Sequence, residues 1–154
     1  MLKEILQAIF SRDLNKLKAE IAAYKSEEKI WVIEKEIANS AGNLCLHLVG
    51  NLNAFIGAEL GNSGYIRNRP NEFAIKDIPQ QELIKMVDDT IPVVVSSINH
   101  LSDADMDRIY PQIVLGEKHS VGYFLVHLAT HLTYHLGQIN YHRRLIDEDR
   151  MLAR

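Results

Sequence analysis

The chain has 154 residues, 47% of them hydrophobic and 24% charged, which is enough apolar material for one domain over residues 1–154 and excludes disorder as the main state. The net charge of -3, with lysines and arginines scattered among acids, gives no basic patch for nucleic acid, and no apolar run approaches the ~18 residues of a membrane span. Cys45 is the single cysteine, so neither an intramolecular disulfide nor a cysteine-built metal site can form; with no signal-like segment in MLKEILQAIFSRDL, a cytoplasmic protein is expected.

In chain order, Leu2, Ile5, Leu6, Ile9, Leu14, Leu17, Ile21 and Tyr24 recur mostly three or four residues apart, with charged residues on the other face. That spacing predicts an amphipathic helix over 2–24. KSEEK interrupts it, and the start of IWVIEKEIANS reads equally as extended chain or a helical turn, with Trp31 against the core. Ser40 is placed to cap a second helix from Ala41 to about Leu60, which Gly61, Asn62 and Gly64 end. Residues 61–79 then form a long connection with two glycines and two prolines, a length typical of a functional loop or a crossover. A third helix over 80–101 puts Leu83, Ile84, Val87, Ile91, Val94, Val95 and Ile98 on one side, with a kink expected at Pro92. After a connector that starts with a helical turn, Ser120 caps a last helix from Val121 to about Asp147. With no repeat and no strand–turn–strand pattern, four long helices predict an all-α four-helix bundle.

The last helix carries HLATHLTYH, with His127, His131 and His135 each four residues after the last. At about 100° per residue these three, Gln138 and His142 fall within a wedge of about 80°, bordered by Phe124, Leu128 and Leu132. A polar stripe with apolar borders predicts a half-buried face. Neighbouring imidazoles at i and i+4 can share one ion, as in helical H-x-x-x-H sites. All three cannot, because two turns separate the outer Cα atoms by ~12 Å while a ligand nitrogen must lie ~2.1 Å from the metal. A third ligand has to come from elsewhere, and His47 in NLCLHLVGNLN is a good source. It shares its helix side with the small or polar residues Ser40, Asn43, Gly50, Asn51, Ala54 and Ala58. Cys45, about 200° away from His47, is excluded as a ligand.

THLTYHLGQINYHRRL resembles the last-helix signature of the DinB/YfiT-like metalloprotein superfamily, in which a histidine, three residues and a second histidine lead into a Gly-Gln pair. GNLCLHLVGNLNAFI and IRNRPNEF are similar to its second-helix segment and to a loop of one branch. The resemblance implies an up-down-down-up bundle whose long connection joins helices 2 and 3. It also implies one divalent ion on His47, His131 and His135: zinc or nickel first, with iron and manganese also occurring in the superfamily. His127 then becomes a pocket wall or a group behind the ligands. Some members act as thiol S-transferases on low-molecular-weight thiols, others are assigned as hydrolases, many have no known activity, and many are homodimers. The implied partner is a small-molecule substrate, possible thiols included.

Asn43, Asn51 and Gln138 are the nearest polar groups that could orient ligands, or they make ordinary interhelical hydrogen bonds. Arg67 and Arg69 in the long connection either hold an anionic group or pair with Glu72 and Asp77. No carboxylate stands near the motif as an obvious base, Glu59 lying at a helix end. His142 is expected to reach the bundle end, and His100 and His119 are expected to be exposed. A non-catalytic bundle with a structural metal is the competing function, but such a site needs a fourth protein ligand and the sequence offers none clearly.

Overall fold

A computed structural model describes residues 1–148. Its helices are α1 (Leu2–Ala22), α2 (Ala41–Leu52), α3 (Arg69–Ala74), α4 (Gln80–Asn99), α5 (Asp103–Asp107) and α6 (Val121–Ile146). A 3-10 turn, Glu27–Trp31, lies between α1 and α2, and a π-helical segment, Asn53–Ala58, continues α2. Among the described residues there is no strand, only two isolated bridges in the connector before α6, and no helix is long and apolar enough to cross a membrane.

The four long helices each pack on two neighbours. α1 lies against α4 and α6, and α2 lies against the same pair, so α1 and α2 face each other across the bundle. Along α1 and α4 the contacts run in opposite order: Lys3 donates to the Leu101 carbonyl at 3.1 Å, and Lys18 pairs with Asp88 at 2.7 Å. Along α1 and α6 they run in the same order, from Asp13 with Thr133 at 2.7 Å to Glu20 with Asn140 at 2.6 Å. α2 and α4 also run together, since the Asn53 amide donates to Thr90 at 2.9 Å and Gly57 packs on Val93. Two parallel neighbours cannot be joined by a tight turn, and the stretch between α2 and α4 is the crossover that joins them. Phe10, Leu14, Leu17 and Ile21 of α1 meet Leu48, Leu52, Leu83, Val87, Leu128 and Leu132 in one core.

Local chemistry sets the helix ends. Ser40 and Ser120 accept from the backbone N–H groups of Asn43 and Tyr123 at 3.1 and 3.2 Å, the caps their positions predict. Ser102 and Asp105 form a reciprocal capping box for α5. α4 continues through Pro92, which sits on its exposed face, so the carbonyl that proline cannot bond is on the solvent side. Gly42 lets the Trp31 ring close on α2; a Cβ there would stand 2.6 Å from it.

Three local expectations change. The second helix leaves α geometry at Leu52 instead of running on to about Leu60, and passes into the π-helical segment. Where that segment ends, Glu59 N–H bonds the Ala54 carbonyl and Leu60 N–H bonds that of Ile56. The Phe55 carbonyl is skipped, and the Tyr110 hydroxyl donates to it at 2.7 Å. The crossover is not bare loop: Asn68 caps α3, with Pro70 in its first turn. His119 is half-buried, not exposed, because its ring stacks on Tyr123 with centroids 4.3 Å apart. His142 is buried. Its Nε2–H donates to the Val32 carbonyl at 2.8 Å, and its Nδ1 accepts from the Tyr24 hydroxyl at 2.6 Å.

Candidate metal centre

His47 on α2 and His131 and His135 on α6 turn their rings towards one point. Each offers a ligand atom within 4.8 Å of the other two, so this group could hold a metal ion. The Nε2 atom of His131 is 3.3 Å from that of His47 and 3.1 Å from that of His135. The one-turn spacing on α6 supplies two of the rings, and the antiparallel contact with α2 brings the third.

The other ring nitrogens fix the tautomers. His47 Nδ1 is 3.0 Å from Glu72 Oε1, an oxygen that can only accept while ionised, so Nδ1 carries the proton and Nε2 the lone pair. His135 Nδ1 is 2.7 Å from Gln138 Oε1 and is protonated on the same logic. Two lone pairs therefore face each other across the centre. His131 Nδ1 is buried with no hydrogen-bond partner, so without an ion its Nε2–H can donate to one of these lone pairs, and an ion at the centre requires that proton to sit on Nδ1 instead. Three imidazoles with inward lone pairs make a donor set that one cation satisfies.

Burial also keeps these rings neutral. Removal from water, above all, lowers the His47 pKa. Burial, followed by the nearby His135, His47 and His127, pushes that of His131 down to about 4. Neutral imidazole is the form that binds metal. As pH falls, the unfolded chain takes up these protons before the folded one does. The metal-free protein should therefore be fully stable, as far as these groups decide, above about pH 6.5 and lose stability as pH falls below it. Urea unfolding of metal-free protein should show a lower midpoint at pH 5 than at pH 7; equal midpoints would contradict this.

The structure supplies a carboxylate that the sequence reading did not find. Glu72, only 6% exposed, sits on α3 and holds His47. Arg67 grips it with a fork, Nε to Oε2 and Nη2 to Oε1, both at 2.8 Å. Of the two uses expected for Arg67, the pairing with Glu72 is thus made. Asn43 stands behind this pair rather than at the centre. Its amide donates to the carbonyls of Glu72 and Ile75, both at 2.9 Å, and it accepts from Lys76. Gly50, one turn after His47, makes the room: a Cβ there would lie 2.0 Å from Glu72 Oε2. The available signal was Asn68 with Pro70, a helix-start pattern that puts Glu72 in a helical turn instead of free loop.

The remaining candidates surround the centre. His127 lies outside the three-histidine group and stacks towards His131, centroids 6.2 Å apart. With His47, His131 and Asn51 it lines a cavity of about 400 Å³. Asn51 is buried there, and its Oδ1 has no hydrogen-bond partner. Arg69 lines the same cavity and lies over the Phe73 ring, 5.3 Å from its centroid. A second cavity of about 560 Å³ opens on the other side, against His135 and Gln138. Cys45 is outside the cluster, and burial pushes its thiol pKa up to about 12.

A search of curated proteins finds no match to this chain. A family model does match, over residues 3–153, and that span takes in all three histidines, Glu72 and Arg67. The chain therefore belongs to the family described as proteins of unknown function, DUF1572.

Proposed function

We propose that the protein is a metal-dependent enzyme of the DinB/YfiT-like kind, with His47, His131 and His135 as ligands of one divalent ion and a small molecule as substrate. The observation that carries this reading is the convergence of three imidazoles, two of them lining one cavity and the third the other, with ring protons of His47 and His135 turned outward onto Glu72 and Gln138. An all-imidazole set suits zinc, nickel or iron, with manganese less favoured. When bound, such an ion lowers the pKa of a coordinated water or thiol, so that a nucleophile is present at neutral pH. Water leads to hydrolysis and a low-molecular-weight thiol to S-transfer.

The protein's own residues prepare that chemistry. Glu72 and Gln138 hold two rings in one tautomer and orientation. Neutral imidazoles cancel none of an ion's charge. Three ligands leave coordination positions open, whereas a purely structural site is closed by a fourth protein group. Phe124 and Leu128 form a dry side of the cavity.

The test is metal analysis of the full chain, loaded separately with zinc, nickel, iron and manganese and then desalted. About one ion per chain is expected for at least one metal. A chain that retains none of the four overturns the reading. Ester hydrolysis and thiol consumption by the loaded protein then separate the two chemistries.

A further inference from the structure

The cavity beside His47 and His131 has a charge pattern of its own. Among the described residues, the charged side chains lining it are Arg67 and Arg69, and no carboxylate lines it. Arg67 is largely neutralised by its fork onto Glu72. Arg69 makes no ion pair among the described residues; it is exposed and lies over Phe73 at the cavity edge. The apolar lining includes Phe55 and Phe124, which meet edge to face, centroids 5.2 Å apart, beside Leu128; the Arg67 guanidinium lies over the Phe55 ring, 5.5 Å from its centroid. Deeper in, Asn51 is 7% exposed and its Oδ1 lacks a partner. A buried amide oxygen without a partner is costly unless something outside the protein donates a hydrogen bond to it.

We infer that this cavity binds a small organic anion, a carboxylate with an apolar body, whose charged end meets Arg69 and whose body lies along Phe124 and Leu128 with an O–H or N–H donor against Asn51 Oδ1. A guanidinium presents a planar fork to such an anion. The surrounding low-dielectric walls strengthen the attraction. A volume of about 400 Å³ lies within the range of small-molecule sites. As an assignment of substrate class this rests on the metal-dependent reading above. As an assignment of a binding site it does not, because none of these contacts uses the ion.

The experiment uses the full chain stripped of metal. Hexanoate, 6-hydroxyhexanoate, the uncharged analogue hexanamide and inorganic phosphate are titrated separately, followed by side-chain NMR of Asn51 and Arg69. Hexanoate is expected to bind and shift Arg69, with hexanamide and phosphate each at least about tenfold weaker, and 6-hydroxyhexanoate, whose hydroxyl can donate to Asn51 Oδ1, is expected to bind more tightly and shift both side chains. Arg69→Gln should weaken hexanoate about fivefold or more, and Asn51→Asp, which adds a negative charge inside, about tenfold or more. Arg144→Gln, an exposed cation lining neither this cavity nor the centre, should leave binding unchanged and controls for net charge. No hexanoate binding at millimolar concentration overturns the assignment, as do hexanamide binding equally well or phosphate competing at equal affinity. If hexanoate binds as expected but the chain holds no metal, the metal-dependent reading fails and the anion site stands. If metal is held and hexanoate is not, the reverse is true.

Discussion

His131→Ala is expected to abolish tight ion binding, with affinity for zinc or nickel falling by about 10³-fold or more, roughly 4 kcal/mol. His131 is the middle of the three rings, its Nε2 lying within 3.3 Å of the Nε2 atoms of both His47 and His135. Removing it leaves two ligands on opposite helices. The metal-free fold should tolerate the change well, because this imidazole is desolvated and its Nδ1 has no partner to lose. Competition against a chromophoric chelator measures the affinity, and thermal unfolding of metal-free protein measures the fold. Parent-like affinity in a folded variant would remove His131 from the centre. Zinc should also raise the melting temperature of the parent and leave that of the variant nearly unmoved, since an ion stabilises only the state that binds it.

Glu72→Ala should be the most damaging change to the fold near the site. It strands the Arg67 guanidinium, whose side chain is 15% exposed, and removes the acceptor for His47 Nδ1. Breaking one side of a buried pair costs about 3–5 kcal/mol. Losing the group that orients a metal-binding histidine costs a further 10–100-fold, roughly, in metal affinity. Glu72→Gln separates the two effects, because it keeps the shape and an acceptor for His47 while removing the charge opposite Arg67. Gly50→Ala acts on the same contact from α2: a methyl 2.0 Å from Glu72 Oε2 forces the carboxylate off its seat. Urea unfolding and chelator competition on the three variants give the comparison. If Glu72→Ala matches the parent in both, the carboxylate has no role in holding His47.

Much of this arrangement is written in local spacing. The three- and four-residue periods of α1, α4 and α6 and the caps at Ser40 and Ser120 are properties of neighbours along the chain, and the sequence shows them directly. So is the pairing of His131 with His135, one turn apart. The meeting of His47 with His131 spans 84 residues and was suggested by composition and resemblance, not by spacing. The place of Glu72 depends on the path of the crossover: a carboxylate beyond two glycines and two residues after a proline looks like solvated loop until α3 docks on α2. Arg67 and Arg69 look alike in the sequence, both loop arginines; only packing shows that one pairs with Glu72 and the other lies over Phe73. The π-helical segment left no mark, since a change from four- to five-residue bonding alters phase without altering composition.

That segment divides α2 into two independently adjustable parts. A π turn is in effect one residue inserted into an α-helix and absorbed over a single turn. His47 and Asn51 precede it, while Phe55, whose ring lines the cavity and whose carbonyl receives Tyr110, lies inside it. Deleting one residue between Asn53 and Ala58 would restore α bonding and leave the residues on either side in their present phase. The ligand histidine would keep its place, while the turn that carries Phe55 would tighten and its carbonyl, no longer skipped, would join the helix ladder in place of its bond from Tyr110. The chain can thus gain or lose a residue here and reshape what the cavity accepts without moving the group that faces the ion.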